Sequence, residues 1–140
     1  MSCSETETLT QTIIEFFEKM SSWEQAVAKE IGLGTTQVHA LEILGSCGAM
    51  KMKELAERMG VTTGTLTVLV DKLEEKGLLR RVPHESDRRS YRIELTEEGN
   101  QACGRHFRLH DGLTHDLTAS FSAEELDTLA SLMGRMVESF

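Results

Sequence analysis

The stretch that decides the fold is Leu55-Ala56-Glu57-Arg58-Met59-Gly60-Val61-Thr62-Thr63-Gly64-Thr65-Leu66-Thr67-Val68-Leu69-Val70-Asp71-Lys72-Leu73. Its first part continues a helix over residues 51–59 that buries Met52, Leu55, Ala56 and Met59. Gly60 suits the left-handed position after a last helical turn. Val61 then packs inward and Thr62 is a good N-cap. The next helix presents Leu66, Leu69, Val70 and Leu73 at i, i+3, i+4 and i+7, one face of a 3.6-residue period. Its other face is small and polar: Thr63, Gly64, Thr65, Thr67, Asp71 and Lys72. Gly77 stops it. Two short helices joined by a glycine turn, the second with a hydroxyl-rich outer face, have the layout of a helix-turn-helix. A plain helical hairpin in a bundle has the same pattern.

Downstream, the period changes. Residues 78–82 and 91–95 are strand candidates, the second setting Tyr91, Ile93 and Leu95 against Arg92 and Glu94. Between them Pro83-His84-Glu85-Ser86-Asp87-Arg88-Arg89-Ser90 forms a charged hairpin tip. A ribbon tipped by Arg88 and Arg89 resembles the wing of a winged helix, able to place arginine in the narrow minor groove. A solvated loop pair, or one arginine held by Asp87, explains the same residues; Asp87 can orient one while the other meets DNA.

Outward from this segment the chain reads as helical. Ile13, Phe16, Phe17, Met20, Trp23, Val27 and Ile31 define a wide apolar face on a first helix over residues 5–31. Thr35 or Thr36 caps a second helix with Val38, Leu41, Ile43 and Leu44 inward, closed by Gly45 and Gly48. Thr96 caps a fifth helix to about residue 119. Ser122 and Glu125 form a capping box for a last helix to residue 140.

Composition narrows the class. At 140 residues, 39% hydrophobic and 27% charged, the chain fits one soluble domain that buries about two-thirds of its unfolded surface. No apolar run approaches the ~20 residues of a membrane span, and residues 1–12 lack the apolar core of a secretory signal. Cys3, Cys47 and Cys103 are scattered and odd in number, which reads as reduced thiols in the cytoplasm. Net charge is −8, from 15 Lys+Arg against 23 Asp+Glu. Residues 51–92 hold ten basic and seven acidic groups, net +3, leaving −11 elsewhere. A basic segment in an acidic protein is a footprint for a polyanion, or an excess on a solvated surface; charge alone leaves both open.

Residues 55–62 and 70–81, followed by Asp87-Arg88-Arg89-Ser90-Tyr91-Arg92-Ile93-Glu94-Leu95-Thr96, resemble the DNA-reading half of the MarR family of bacterial transcription regulators. The second segment matches its wing signature D-x-R-x-x-x-L-x-L-T, with Ile93 for the first leucine. The resemblance implies an all-α fold with a small β-wing. Residues 35–96 form the winged helix-turn-helix lobe, flanked by dimerisation helices at 5–34 and 97–140. It implies a homodimeric repressor-type regulator, not an enzyme, on a palindromic operator with half-sites about one helical turn apart. Thr62, Thr63, Thr65 and Thr67, with Lys72, would read the major groove and its phosphates; Arg88 and Arg89 would serve the minor groove. No Ser/His/Asp or Cys/His constellation is tied to a catalytic motif.

His106 and His110 lie four apart on the fifth helix, within reach of one ligand. Such a pair is half of a zinc site or an incidental neighbour pair. Residues 34–39 resemble the zinc-sensing, adhesin-competence-repressor-like branch of the family, and that resemblance implies a Zn2+ site of Glu24, His39, His106 and His110. A second site is not implied, since Val38 and Arg105 stand where acids are expected and only Glu30 remains. The family's other habit is release by a small aromatic or phenolic effector. Thiol sensing is a third option, although the cysteines lack a neighbouring basic cluster. A winged helix used only for protein–protein interaction is the rival from another class.

Overall fold

The computed structural model describes residues 3–140, apart from the side chains of residues 3 and 88. The element order is α1 (Cys3–Glu30), α2 (Thr35–Cys47), β1 (Met50–Lys51), α3 (Met52–Met59), α4 (Thr63–Glu75), β2 (Leu79–His84), β3 (Asp87–Leu95), α5 (Glu97–Leu117) and α6 (Ala123–Glu138). The fold is a winged helix: six helices and a small three-stranded antiparallel sheet. The chain divides into two compact units, one up to Arg105 and one from His106 to Phe140, with the division inside α5.

In the first unit the core is built from the predicted faces. Leu55 of α3, Leu66, Val70 and Leu73 of α4, Leu79 of β2 and Ile93 of β3 are fully buried. Val38, Leu41 and Leu44 of α2 join them, with Ala28, Leu33 and Ala102. Val61 packs against this core, as its place after the Gly60 turn predicts. Gly60 adopts φ 67°, ψ 32°, the left-handed conformation that ends α3.

The sheet runs β1-β3-β2. β2 pairs with β3 from Leu79↔Leu95 to His84↔Asp87, with an irregularity between Pro83 and His84. Proline is tolerated there because β2 is an edge strand and lacks only an outward donor. The hairpin is longer than the sequence suggests, because both strands extend into the charged segment and leave Glu85 and Ser86 as the turn.

Three further boundaries differ. Lys51, expected to open a helix, pairs with Arg92 in β1 before α3 begins. Gly34, not Thr35 or Thr36, is the N-cap of α2, and its N–H donates to Gln37 Oε1 at 3.1 Å. Gly45 lies inside α2 rather than closing it, because α5 approaches closely: a Cβ there would lie 3.3 Å from Cys103 Sγ.

In the second unit Ser122 caps α6 as predicted. Its Oγ accepts the Glu125 N–H at 3.1 Å, while its own N–H donates to Glu125 Oε2 at 2.8 Å. No residue of α6 is buried. Leu126, Leu129, Leu132, Met133, Met136 and Val137 are exposed. In the first unit, Leu9, Ile13, Phe16 and Phe17 on the first half of α1 are likewise bare, while Val27 of its second half is in the core.

Candidate functional site

The polar face of α4 starts at its cap. Thr62 Oγ1 accepts the Thr65 N–H at 3.2 Å and donates to Thr65 Oγ1 at 3.0 Å. Thr67 Oγ1 donates to the Thr63 carbonyl at 2.8 Å. Thr62, Thr63, Thr65, Thr67 and Lys72 are all exposed. The threonines thus fix the helix start, where backbone N–H groups suit a phosphate, and show their remaining hydroxyl capacity to solvent.

The hairpin carries the other predicted groups. Asp87 acts on the backbone: its Oδ1 accepts the Arg89 N–H at 2.9 Å, which shapes the turn below the arginines. His84 Nδ1 contributes from the other side, accepting the Ser86 N–H at 3.2 Å. Arg89 is exposed. The Arg88 side chain lies outside the described residues.

Part of the local positive charge is engaged within the fold. Arg81 ties β2 to α4 through Asp71 Oδ1 at 2.6 Å and Glu74 Oε1 at 2.8 Å. The hydrogen bond to Asp71 raises the Arg81 pKa further above its ordinary value. Arg80 pairs with Glu94 at 2.5 Å. Arg92 donates to the Ala49 carbonyl at 2.9 Å, and Lys76 Nζ to the Gly32 carbonyl at 2.8 Å. These contacts decide which basic side chains of residues 51–92 stay free for a polyanion. Among the described residues, Lys51, Lys53, Lys72 and Arg89 are the exposed cations of this segment without a side-chain partner. Lys51 and Lys53, at the start of α3, were not singled out from sequence, because a lysine's partners are invisible in the chain.

The expected metal ligands fall in both units. In the second, His106 is 2% exposed, the only buried polar or charged side chain among the described residues, and its ring lies 4.6 Å from that of His110, edge to face. In the first, Glu24 and Glu42 are half-buried and bring carboxylate oxygens within 4.8 Å of each other. His39 is exposed on α2. Glu42 was missed from sequence, although it lies three residues after His39 and so on the same side of α2.

The cysteines differ from the expectation in one respect. Arg58 Nη1 lies 3.5 Å from Sγ of the exposed Cys47, a basic neighbour supplied by the α2–α3 packing. Burial, with Glu42 nearby, pushes the Cys103 thiol up, and its Sγ donates to the Leu41 carbonyl at 3.2 Å. Alkylation at neutral pH followed by mass mapping is expected to label Cys47 at least about tenfold faster than Cys103; equal rates in the folded protein would contradict this placement.

A helix-turn-helix followed by a two-stranded wing is the architecture of DNA-reading regulators. The MarR family model matches residues 33–91. The uncharacterised HTH-type transcriptional regulator YcgE of Bacillus subtilis (strain 168) is 31% identical over 134 residues, covering 93% of this chain and 87% of that protein. A MarR family protein from Bacillus stearothermophilus superposes with a TM-score of 0.91 at 22% identity, over 99% of this chain and 97% of that one. FabT of Streptococcus pneumoniae, solved in complex with DNA, superposes with a TM-score of 0.82 at 20% identity, over 95% of each chain. The chain belongs to the MarR family of transcription regulators. It is a regulator, not an enzyme. No helix among the described residues is long and apolar enough to cross a membrane.

Proposed function

We propose that this regulator acts in the cytoplasm as a homodimeric repressor on a palindromic operator. The observation that carries this reading is the exposed threonine face of α4 followed by the arginine-tipped β2–β3 hairpin. Thr62, Thr63, Thr65, Thr67 and Lys72 serve the major groove and its phosphates, and Arg88 and Arg89 the minor groove. The DNA complex of the similarly folded FabT supports duplex DNA as the partner. The bare apolar faces of α1 and α6 support self-association, since exposed patches of this kind mark interaction surfaces. Selection from a random duplex library tests the reading. Enrichment of an inverted repeat, half-sites about one helical turn apart, is expected; a library that stays random would refute it.

We further propose that Zn2+ is the effector. The ligands we assign are those the family resemblance implies, Glu24, His39, His106 and His110, the last two four apart on α5. This N3O set fits zinc, which takes four ligands of these types. When bound, zinc supplies a cross-link between elements far apart in the chain. The protein's part is to hold the His106 and His110 rings face to edge and to keep His106 out of water. The expected consequence is tighter operator binding with metal than without, by biasing the population of DNA-competent conformers.

Calorimetry checks the ligand set. His106→Ala and His110→Ala are each expected to weaken zinc binding by more than the ~10–100-fold cost of losing an outer-shell partner. Undiminished uptake by His106→Ala/His110→Ala would remove zinc from this site.

A further inference from the structure

We infer that Val68 reads the C5 methyl group of a thymine, so that each operator half-site carries a T·A pair beneath the middle of α4. This rests on the DNA-binding reading above and deepens it. At 3.6 residues per turn, Gly64, Thr65, Val68, Asp71 and Lys72 fall within an arc of about 120°, opposite the side of buried Leu66, Val70 and Leu73 and half-buried Leu69. Val68 lies inside that arc and is 56% exposed, the one large apolar side chain of α4 left bare. A β-branched residue there gains no packing and has a lower helix propensity than alanine.

Several polar neighbours already hold partners within the fold. Thr62 and Thr65 are tied to each other, Thr67 donates to the Thr63 carbonyl, and Asp71 is held by Arg81. Hydroxyls in any case accept several bases. Opposite Gly64 no side chain stands between the helix and an approaching duplex: the nearest atom to a Cβ built there is Thr62 Oγ1 at 3.9 Å. Close approach at Gly64 brings Val68, one turn on, against the groove floor. Of the four bases only thymine offers a methyl group there, and an apolar contact is its recognition chemistry.

The test uses the full-length protein and the duplex recovered by selection, with deoxyuridine replacing each thymidine singly. This removes the methyl group and leaves pairing intact. One position is expected where deoxyuridine weakens wild-type binding by about fourfold per half-site, the value of burying one methyl-sized group, and leaves Val68→Ala unaffected. Val68→Ala is expected to fold, since the site is exposed and alanine favours helix; its thermal melt verifies this. No such position, equal losses in both proteins, or a half-site without thymine would overturn the role of Val68 while leaving DNA binding intact. A library that yields no preferred duplex would instead defeat the underlying reading, and this inference with it.

Discussion

Gly99→Ala is expected to destabilise the protein by about 3 kcal/mol, at the upper end of overpacking effects. Gly99 is in the first turn of α5, and a Cβ there would collide with the Leu78 carbonyl oxygen and lie 3.0 Å from the Leu78 carbonyl carbon. The obstacle is backbone and cannot swing aside. The same segment is clamped by three hydrogen bonds. Thr96 N–H donates to the Leu78 carbonyl at 3.1 Å, Thr96 Oγ1 donates to the Gly77 carbonyl at 2.5 Å, and Gly99 N–H donates to Thr96 Oγ1 at 3.1 Å. Relieving the clash moves the start of α5 away from β2 and breaks this clamp. Denaturant unfolding at fixed protein concentration measures the loss, which corresponds to a Tm drop of roughly 10 °C. A change below about 0.5 kcal/mol, the range of ordinary surface substitutions, would show that the junction is looser than described.

Arg88→Ala/Arg89→Ala is expected to reduce operator affinity by about a hundredfold while leaving the unfolding transition within about 0.5 kcal/mol of wild type. Arg89 is exposed, and its backbone, not its side chain, is held by Asp87. The turn therefore survives loss of the guanidinium. Each phosphate contact removed lowers the slope of log affinity against log salt by about one, so the variant shows both weaker binding and a shallower slope. Arg81 serves as the contrast within the same ribbon. It is fixed between Asp71 and Glu74, whose carboxylates neutralise its charge. Unchanged affinity in the double variant would mean that the hairpin does not reach the duplex.

How far the sequence carried these conclusions depended on the range of the interaction. Periodicity located Leu66, Leu69, Val70 and Leu73 on one side of α4 because burial repeats every turn along a single helix. The Gly60 turn, the Thr62 cap and the Ser122–Glu125 box were legible for the same reason: each is complete within a few residues. β1 was not, because two residues have no period and Met50–Lys51 is a strand only by pairing with Ile93 and Arg92, some forty positions away. The hairpin was read too short, since Pro83 and His84 are turn formers that edge pairing overrode. Among the candidate site residues, the threonines, Lys72, Arg89, His106 and His110 could be named from local pattern. The carboxylate partner of Glu24 could not: Glu42 and Glu24 meet only through the packing of α1 on α2. Which basic groups stay free was not legible either, because Arg80, Arg81, Arg92 and Lys76 meet partners set by the tertiary fold.

The first half of α1, part of the wide apolar face read from the sequence, is bare, and so is the apolar side of α6. Their exposure in the single chain is what a helix face left for another surface looks like.

An equilibrium anisotropy titration across a salt series, with the selected palindrome and a shuffled duplex of equal length, tests the central claim most directly. The account predicts affinity for the palindrome at least about a thousandfold above the shuffled duplex at physiological salt, falling steeply as salt rises. Equal, weak and salt-insensitive binding to both duplexes would contradict it.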